Sequence, residues 1–284
     1  MQFVDHIFMI LLLVVQPVHG VFEARSHDAL EKAGGSVNRI RFYRETMLVE
    51  WVFLAALLAA WMILDRPIAG LGFSTTIGPG FWVGFAFVTL LTGHLLYAWR
   101  WVTKATPAKK VEQAKLLGEI DRYLPHTGRE LRSFFGVSIT AGIVEEIVYR
   151  GFVLWYLTHI MPLWFAVSVS SVLFGLAHSY QGRDALLRVT LIGLGFGTLY
   201  VVTGSIWLPI IAHISIDVLQ GRTLHEILRT DDEPGPQPTS QPANQQPTTN
   251  NQVKPQRSCE HTCPAAGGCA AVRGCDLSAL AAQT

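Results

Sequence analysis

The chain has 284 residues, of which 50% are hydrophobic and only 15% charged, where a soluble domain carries about 25% charge. Its formal net charge of +1 gives no electrostatic reason to expect nucleic acid as a partner. Mean hydropathy is +0.33, and the apolar residues fall in long blocks without strict alternation. That pattern argues against a β-barrel and predicts an all-α fold, a polytopic transmembrane helical bundle of about seven spans.

In chain order, Ile7 to Val15 is an apolar run that extends weakly to Phe22 through Gln16, Pro17 and His19. Only His6 precedes it as a basic residue, so it makes a poor signal peptide. It reads as a marginal first span, and without it the count falls to six. Residues 23–46 are polar, with Arg25, Lys32, Arg39, Arg41 and Arg44, and close a first segment, 1–46. The second segment, 47–131, holds two further spans. Leu48 to Leu64 carries Trp51 and Trp61 near its ends as interface anchors and is stopped by Asp65-Arg66-Pro67. Glu50 lies near its start, within reach of water. Phe81 to Trp99 is the third span, and its His94 is expected to make a hydrogen bond between helices. In the basic loop 100–132, Ala114, Leu117, Ile120 and Leu124 stand at helical spacing. They predict an amphipathic helix on the membrane surface or a solvated loop helix.

The third segment, 132–229, contains four spans: Phe134 to Leu157, Pro162 to His178, Leu186 to Val202, and Ile206 to Leu219. Arg188 can snorkel to the interface. Gly193 and Gly197 form a small-xxx-small pair that admits a close neighbour. The remaining residues, 230–284, are rich in Pro, Gln, Thr and Asn and predict a disordered tail. Cys259, Cys263, Cys269 and Cys275 lie there with His261, but their spacing lacks the paired C-x2-C knuckles of common zinc sites. An unstructured, Cys-bearing extension is expected. Basic residues of the 23–46 and 100–132 segments, with Arg183, Arg188, Arg222 and Arg229, fall on one side. The positive-inside rule makes that side cytoplasmic, tail included, and the expected location is the bacterial cytoplasmic membrane.

One stretch stands out. Glu145, Glu146 and Arg150 lie inside an apolar run, where each ionised side chain costs roughly 2.5–3.5 kcal/mol near the bilayer centre. Glu146 and Arg150 are four apart and predict an intrahelical ion pair, while Glu145 points about 100° away. His178 follows Phe174 by four residues, and His213 precedes Asp217 by four. One carboxylate with two imidazoles suggests water activation in either of two ways. Glu145, His178 and His213 are candidate ligands of Zn2+ that leave one position for water. Alternatively, without metal, Glu145 is the general base with His178 holding the water. His213 and Asp217 then act near the scissile carbonyl, with Asp217 stabilising the oxyanion or fixing the tautomer of His213.

Glu145-Glu146-x3-Arg150, Phe174-x3-His178 and His213-x3-Asp217, in order on separate spans, resemble the three motifs of the type II CAAX prenyl endopeptidase and bacteriocin-processing family of intramembrane proteases, also called CPBP or Abi. Thr203 to His213 is also similar to that family's approach to its third motif. The resemblance covers about residues 132–220 and makes 132–229 a catalytic membrane core. It implies an endopeptidase acting on a membrane-associated protein or peptide substrate, with prenylated C-termini, leaders and sorting signals all processed by relatives. It implies that Glu145 and His178 activate water, that His213 and Asp217 serve the oxyanion side, and that Glu146 and Arg150 complete the first motif. The family's third motif often ends in Asn, and ionised Asp217 cannot donate as an amide does. A non-proteolytic immunity or scaffold protein would keep the same motif for packing. A proton-coupled carrier lacks the paired halves it would need. Nothing in the sequence sets the oligomeric state.

Overall fold

Helix-stopping residues bound each apolar block, and the helices begin and end near them. The computed structural model describes residues 1–74 and 77–229. The tail from 230, with its expected disorder and its cysteines, lies outside the described residues. Among the described residues the chain is all helical, in eight helices named here α1 to α8.

Helix α1 runs Phe3–Lys32 through a π-helical stretch, Leu11–Val15, just before Pro17. The wider turn accommodates a residue that lacks a backbone donor. The helix does not stop at Phe22: residues 23–32, expected as a polar loop, are helical. Glu23, Ala24, Arg25, Ala29, Leu30, Glu31 and Lys32 are strong helix formers, and the first breaker is Gly34, at φ +80. Helix α2, Arg39–Ile63, starts where Asn38 accepts the Arg41 backbone N–H at 3.1 Å. Helix α3, Pro79–Thr103, carries Pro in its first turn. Helix α4, Pro107–Ala114, is short. Helix α5 begins at Gly128 and continues through a π-helical stretch, Ile147–Val153, to Thr158. Helices α6, Leu163–Ala177, α7, Arg183–Thr203, and α8, Trp207–Leu228, complete the set.

Seven of these rods correspond to the seven apolar blocks. Helices α1, α2, α3 and the Ala185–Thr203 part of α7 are long and apolar enough to cross a membrane. Helix α6 is 15 residues long, and α5 and α8 carry the polar residues of the site. Exposed Val49, Val52, Phe85, Leu90, Leu187 and Leu191 give the bundle an apolar outer surface, as expected of an integral membrane protein.

Helix α5 lies between α2 and α8, α8 also packs on α3, and α6 packs along α7. The predicted close approach at Gly193 and Gly197 occurs there: a Cβ on Gly193 would lie 3.3 Å from the Ser171 Cα, and one on Gly197 2.9 Å from a Val167 methyl. The loop after α2 folds back into the bundle. Leu71 is fully buried against Gly151, and the Gly72 carbonyl accepts the Ile206 N–H at 3.0 Å.

Three other expectations change. Residues 114–124 form no single amphipathic helix, because α4 ends at Ala114 and a 3-10 turn, Gly118–Tyr123, follows. Leu117, Ile120 and Leu124 cover an internal cavity instead. His94 is exposed on the outside of α3 rather than bonded between helices. Trp61 is 2% exposed, with its indole N–H on the Pro67 carbonyl at 3.2 Å, so it packs the core rather than anchoring an interface.

Candidate active site

Site geometry begins with how α5 is started and held. Thr127 Oγ1 accepts the Glu130 N–H at 3.2 Å, and Glu130 Oε2 accepts the N–H groups of Thr127 and His126 at 3.1 and 2.8 Å. This capping box fixes the first turn. Burial works against the Glu130 carboxylate, but those two N–H groups and the Arg39 guanidinium outweigh it and hold its pKa below the usual value. Further along, the Trp51 indole on α2 donates to Thr140 Oγ1 at 3.2 Å and locks the register of the two helices. A Cβ on Gly142 would lie 2.5 Å from an Ile214 side-chain carbon, so glycine lets α8 come close.

Glu145 and Glu146 end the α-helical part of α5 and diverge as their spacing predicts. Glu146 is 0% exposed. Its Oε1 receives Arg150 Nη1 at 3.0 Å and His213 Nδ1 at 2.9 Å. Arg150 in turn donates to the Gly193 carbonyl at 3.0 Å and lies 4.5 and 5.3 Å from the ring centres of Phe174 and Phe196. The expected ion pair is therefore present, with His213 added to it. The two ring nitrogens of His213 face different carboxylates, and Asp217 is not the one at Nδ1. Glu146 is, because it comes from the facing helix, while Asp217 sits one turn along on α8 with Oδ2 at 3.5 Å from Nε2.

Glu145 turns toward the two imidazoles. Its Oε1 is 3.7 Å from His178 Nε2, and its Oε2 is 3.8 Å from His213 Nε2. His178 caps the end of α6, and its Nδ1 lies 2.8 Å from the Phe174 carbonyl. That carbonyl only accepts, so Nδ1 carries the proton and Nε2 faces Glu145 as a bare acceptor. Phe196 stacks on His213 with ring centres 5.1 Å apart. All six residues singled out in the sequence thus meet in one place.

Glu145, His178, His213 and Asp217 line a cavity of about 490 Å³ toward the end of the bundle where α2 and α5 start and α6 and α8 finish. Two charged side chains were not expected there. Arg188, itself exposed, also lines the cavity, and Glu50 faces into it rather than standing at a wet span end. Glu50 Oε2 is buried without a hydrogen-bond partner among the described residues, as is Glu145 Oε2. A single acidic residue just inside the Leu48 to Leu64 apolar block was the signal available for Glu50.

The donor types at Glu145, His178 and His213 are those of a His2Glu zinc site. Among the described residues, however, no group of three His, Cys, Asp or Glu side chains is arranged to hold a metal ion.

Residues 128–219 match the family described as type II CAAX prenyl endopeptidase Rce1-like. That stretch of the chain, about a third of its length, is similar to this family. The matched segment takes in helices α5, α6 and α7 and the first half of α8, hence Glu145, Glu146, Arg150, His178, His213 and Asp217. Glu50 lies outside it. A relative from Bacillus subtilis (strain 168), named "Putative membrane peptidase YdiL", is 38% identical over 80 residues, which is 28% of this chain and 32% of that protein. The match therefore spans about a third of the relative's length. No solved structure matches.

Proposed function

We propose that the chain is an intramembrane endopeptidase that hydrolyses a peptide bond of a membrane-associated protein or peptide with activated water. The observation that carries this reading is the placement of two imidazole Nε2 atoms 3.7 and 3.8 Å from the two oxygens of Glu145, within a sheltered cavity. Glu145 takes the water proton, and His178 Nε2 accepts the second hydrogen bond and orients the attacking oxygen. His213 has carboxylates near both ring nitrogens, Glu146 at Nδ1 and Asp217 at Nε2. A ring with acceptors at both nitrogens serves as a donor at both. Its Nε2–H is then the group that meets the oxyanion. Asp217 orients that donor instead of donating itself. Glu146 and Arg150 hold His213 in place from behind.

Substrates of CAAX-like, leader or sorting-signal type fit the family and the apolar cavity walls. The basic ends of the helices, with the cavity opening among them, are assigned to the cytoplasmic side of a bacterial cytoplasmic membrane.

The test is cleavage of membrane-anchored, quenched-fluorescence peptides by the full chain in liposomes. Metal content and chelator sensitivity are measured on the same sample. Cleavage that is lost in Glu145→Ala and His178→Ala at matched abundance is expected. Near-full cleavage by either variant overturns the assignment. A metal-free, fully active sample supports Glu145 and His178 as the water-activating pair. Activity that tracks bound zinc returns Glu145, His178 and His213 to the ligand role.

A further inference from the structure

Water activation leaves one requirement of peptide hydrolysis unmet. When the C–N bond breaks, the nitrogen keeps the electron pair and must gain a proton to leave as an amine. Glu145 and His178 are occupied with water, and His213 with the carbonyl oxygen. Another proton-bearing group in the same cavity would complete the reaction.

Glu50 is in that position. It lies on α2 and lines the cavity shared by Glu145, His178 and His213. Its neighbour Trp51 is bonded to Thr140 at 3.2 Å, which fixes Glu50 against the stretch of α5 that leads into Glu145. Two other buried carboxylates have charged partners: Asp5 pairs with Arg66, and Glu146, through Oε1, with Arg150 and His213. Glu50 has none among the described residues, and its Oε2 is buried. A carboxyl in a membrane helix with no structural partner marks a functional position. In its acid form Glu50 has an O–H to give.

We propose that Glu50 is the proton donor to the departing amine, a role that rests on the peptidase reading above. The water oxygen bonds to the carbonyl carbon while its proton passes to Glu145. The C–N bond then breaks, the electron pair goes to nitrogen, and nitrogen takes the proton of the Glu50 carboxyl. The products are an acid and an amine, with Glu145 protonated and Glu50 ionised. Transfer of that proton from Glu145 to Glu50 within the shared cavity restores the starting state, and no other reactant is needed.

The experiment compares leaving groups. A quenched-fluorescence peptide cleaved by the full chain in liposomes is paired with its depsipeptide, in which an ester oxygen replaces the scissile amide nitrogen. An alkoxide leaves with far less help from an acid than an amine does. Glu50→Gln is expected to lower kcat on the amide roughly 10²- to 10⁴-fold and to slow the ester far less. Glu50→Asp should regain part of the amide rate. Ester turnover by Glu50→Gln reports that its fold and water-activating pair are intact. Equal losses on both substrates, or a wild-type rate on the amide, overturn the role of Glu50. Glu145→Gln should lose both substrates. If it cleaves both as well as wild type, the peptidase reading fails irrespective of Glu50.

Discussion

The two ends of the bundle treat buried acid differently. At one end Asp5, 1% exposed, is bonded through both oxygens to Arg66, at 2.7 and 2.8 Å, and accepts the Gln2 N–H at 2.6 Å. Arg66 is itself packed over the rings of Trp61 and Trp155. Both Asp5 oxygens are engaged in these bonds. At the other end Glu145 has its nearest basic atoms at 3.7 and 3.8 Å, and one of its oxygens has no hydrogen bond. A satisfied buried ion pair ties the start of α1 to the loop after α2. An unsatisfied carboxylate beside a cavity has bonding capacity left over.

Four substitutions or conditions would break or sharpen this contrast. The largest effect is expected at Glu145. Glu145→Gln should lower cleavage by roughly 10²- to 10⁴-fold, as expected for loss of a general base, while thermal unfolding in detergent stays close to wild type. A large fall in unfolding temperature with normal turnover per folded molecule would reverse its assignment. Asp5→Ala should do the opposite. It strands a largely buried Arg66, a loss of about 3–5 kcal/mol for such pairs, and should cut folded abundance but not turnover of the folded fraction.

Asp217→Asn is a smaller change. If Asp217 only orients His213, an amide oxygen serves as well, and kcat should remain within about tenfold, or about 1.4 kcal/mol. A fall well beyond tenfold would make the Asp217 charge essential. The smallest effect concerns the Glu130 cap. Its pKa lies below the ordinary value of 4.5. The stabilisation is therefore fully present above about pH 4.5 and is lost as pH falls through the lower folded value. Stability measured from pH 6 down to 3 should decline less steeply in Glu130→Gln than in wild type. Parallel curves would show that the cap contributes nothing.

Much of this arrangement was legible in the chain. Hydropathy located the seven rods because apolar blocks of that length have few other uses, and the four-residue spacing of Glu146 and Arg150 led directly to their pair. Other features depended on contacts between distant segments. Glu50 looked peripheral because its distance from the end of a span says nothing about which helix it faces. The helical extension over 23–32 was hidden by polarity, which reports exposure rather than backbone conformation. Leu117, Ile120 and Leu124 have helical spacing, but Gly118 and a 3-10 turn redirect them over the cavity. The bond between Glu146 and His213 joins residues 67 positions apart, and no local pattern encodes it.

The π-helical stretch Ile147–Val153 has a consequence for how this protein tolerates length changes. Upstream of it α5 presents Ala141 and Glu145 to the cavity, while downstream Tyr149 bonds Gln16 of α1 and Gly151 lies under Leu71. The wider turn acts as a phase adjuster between these two sets of neighbours. A π-helical turn takes up one residue more than an α-helical turn, so removing one residue from it would let the rod relax to ordinary α-helix with its two halves still close to their present neighbours. Removing one residue from the α-helical part instead would rotate one half against the other by about 100°.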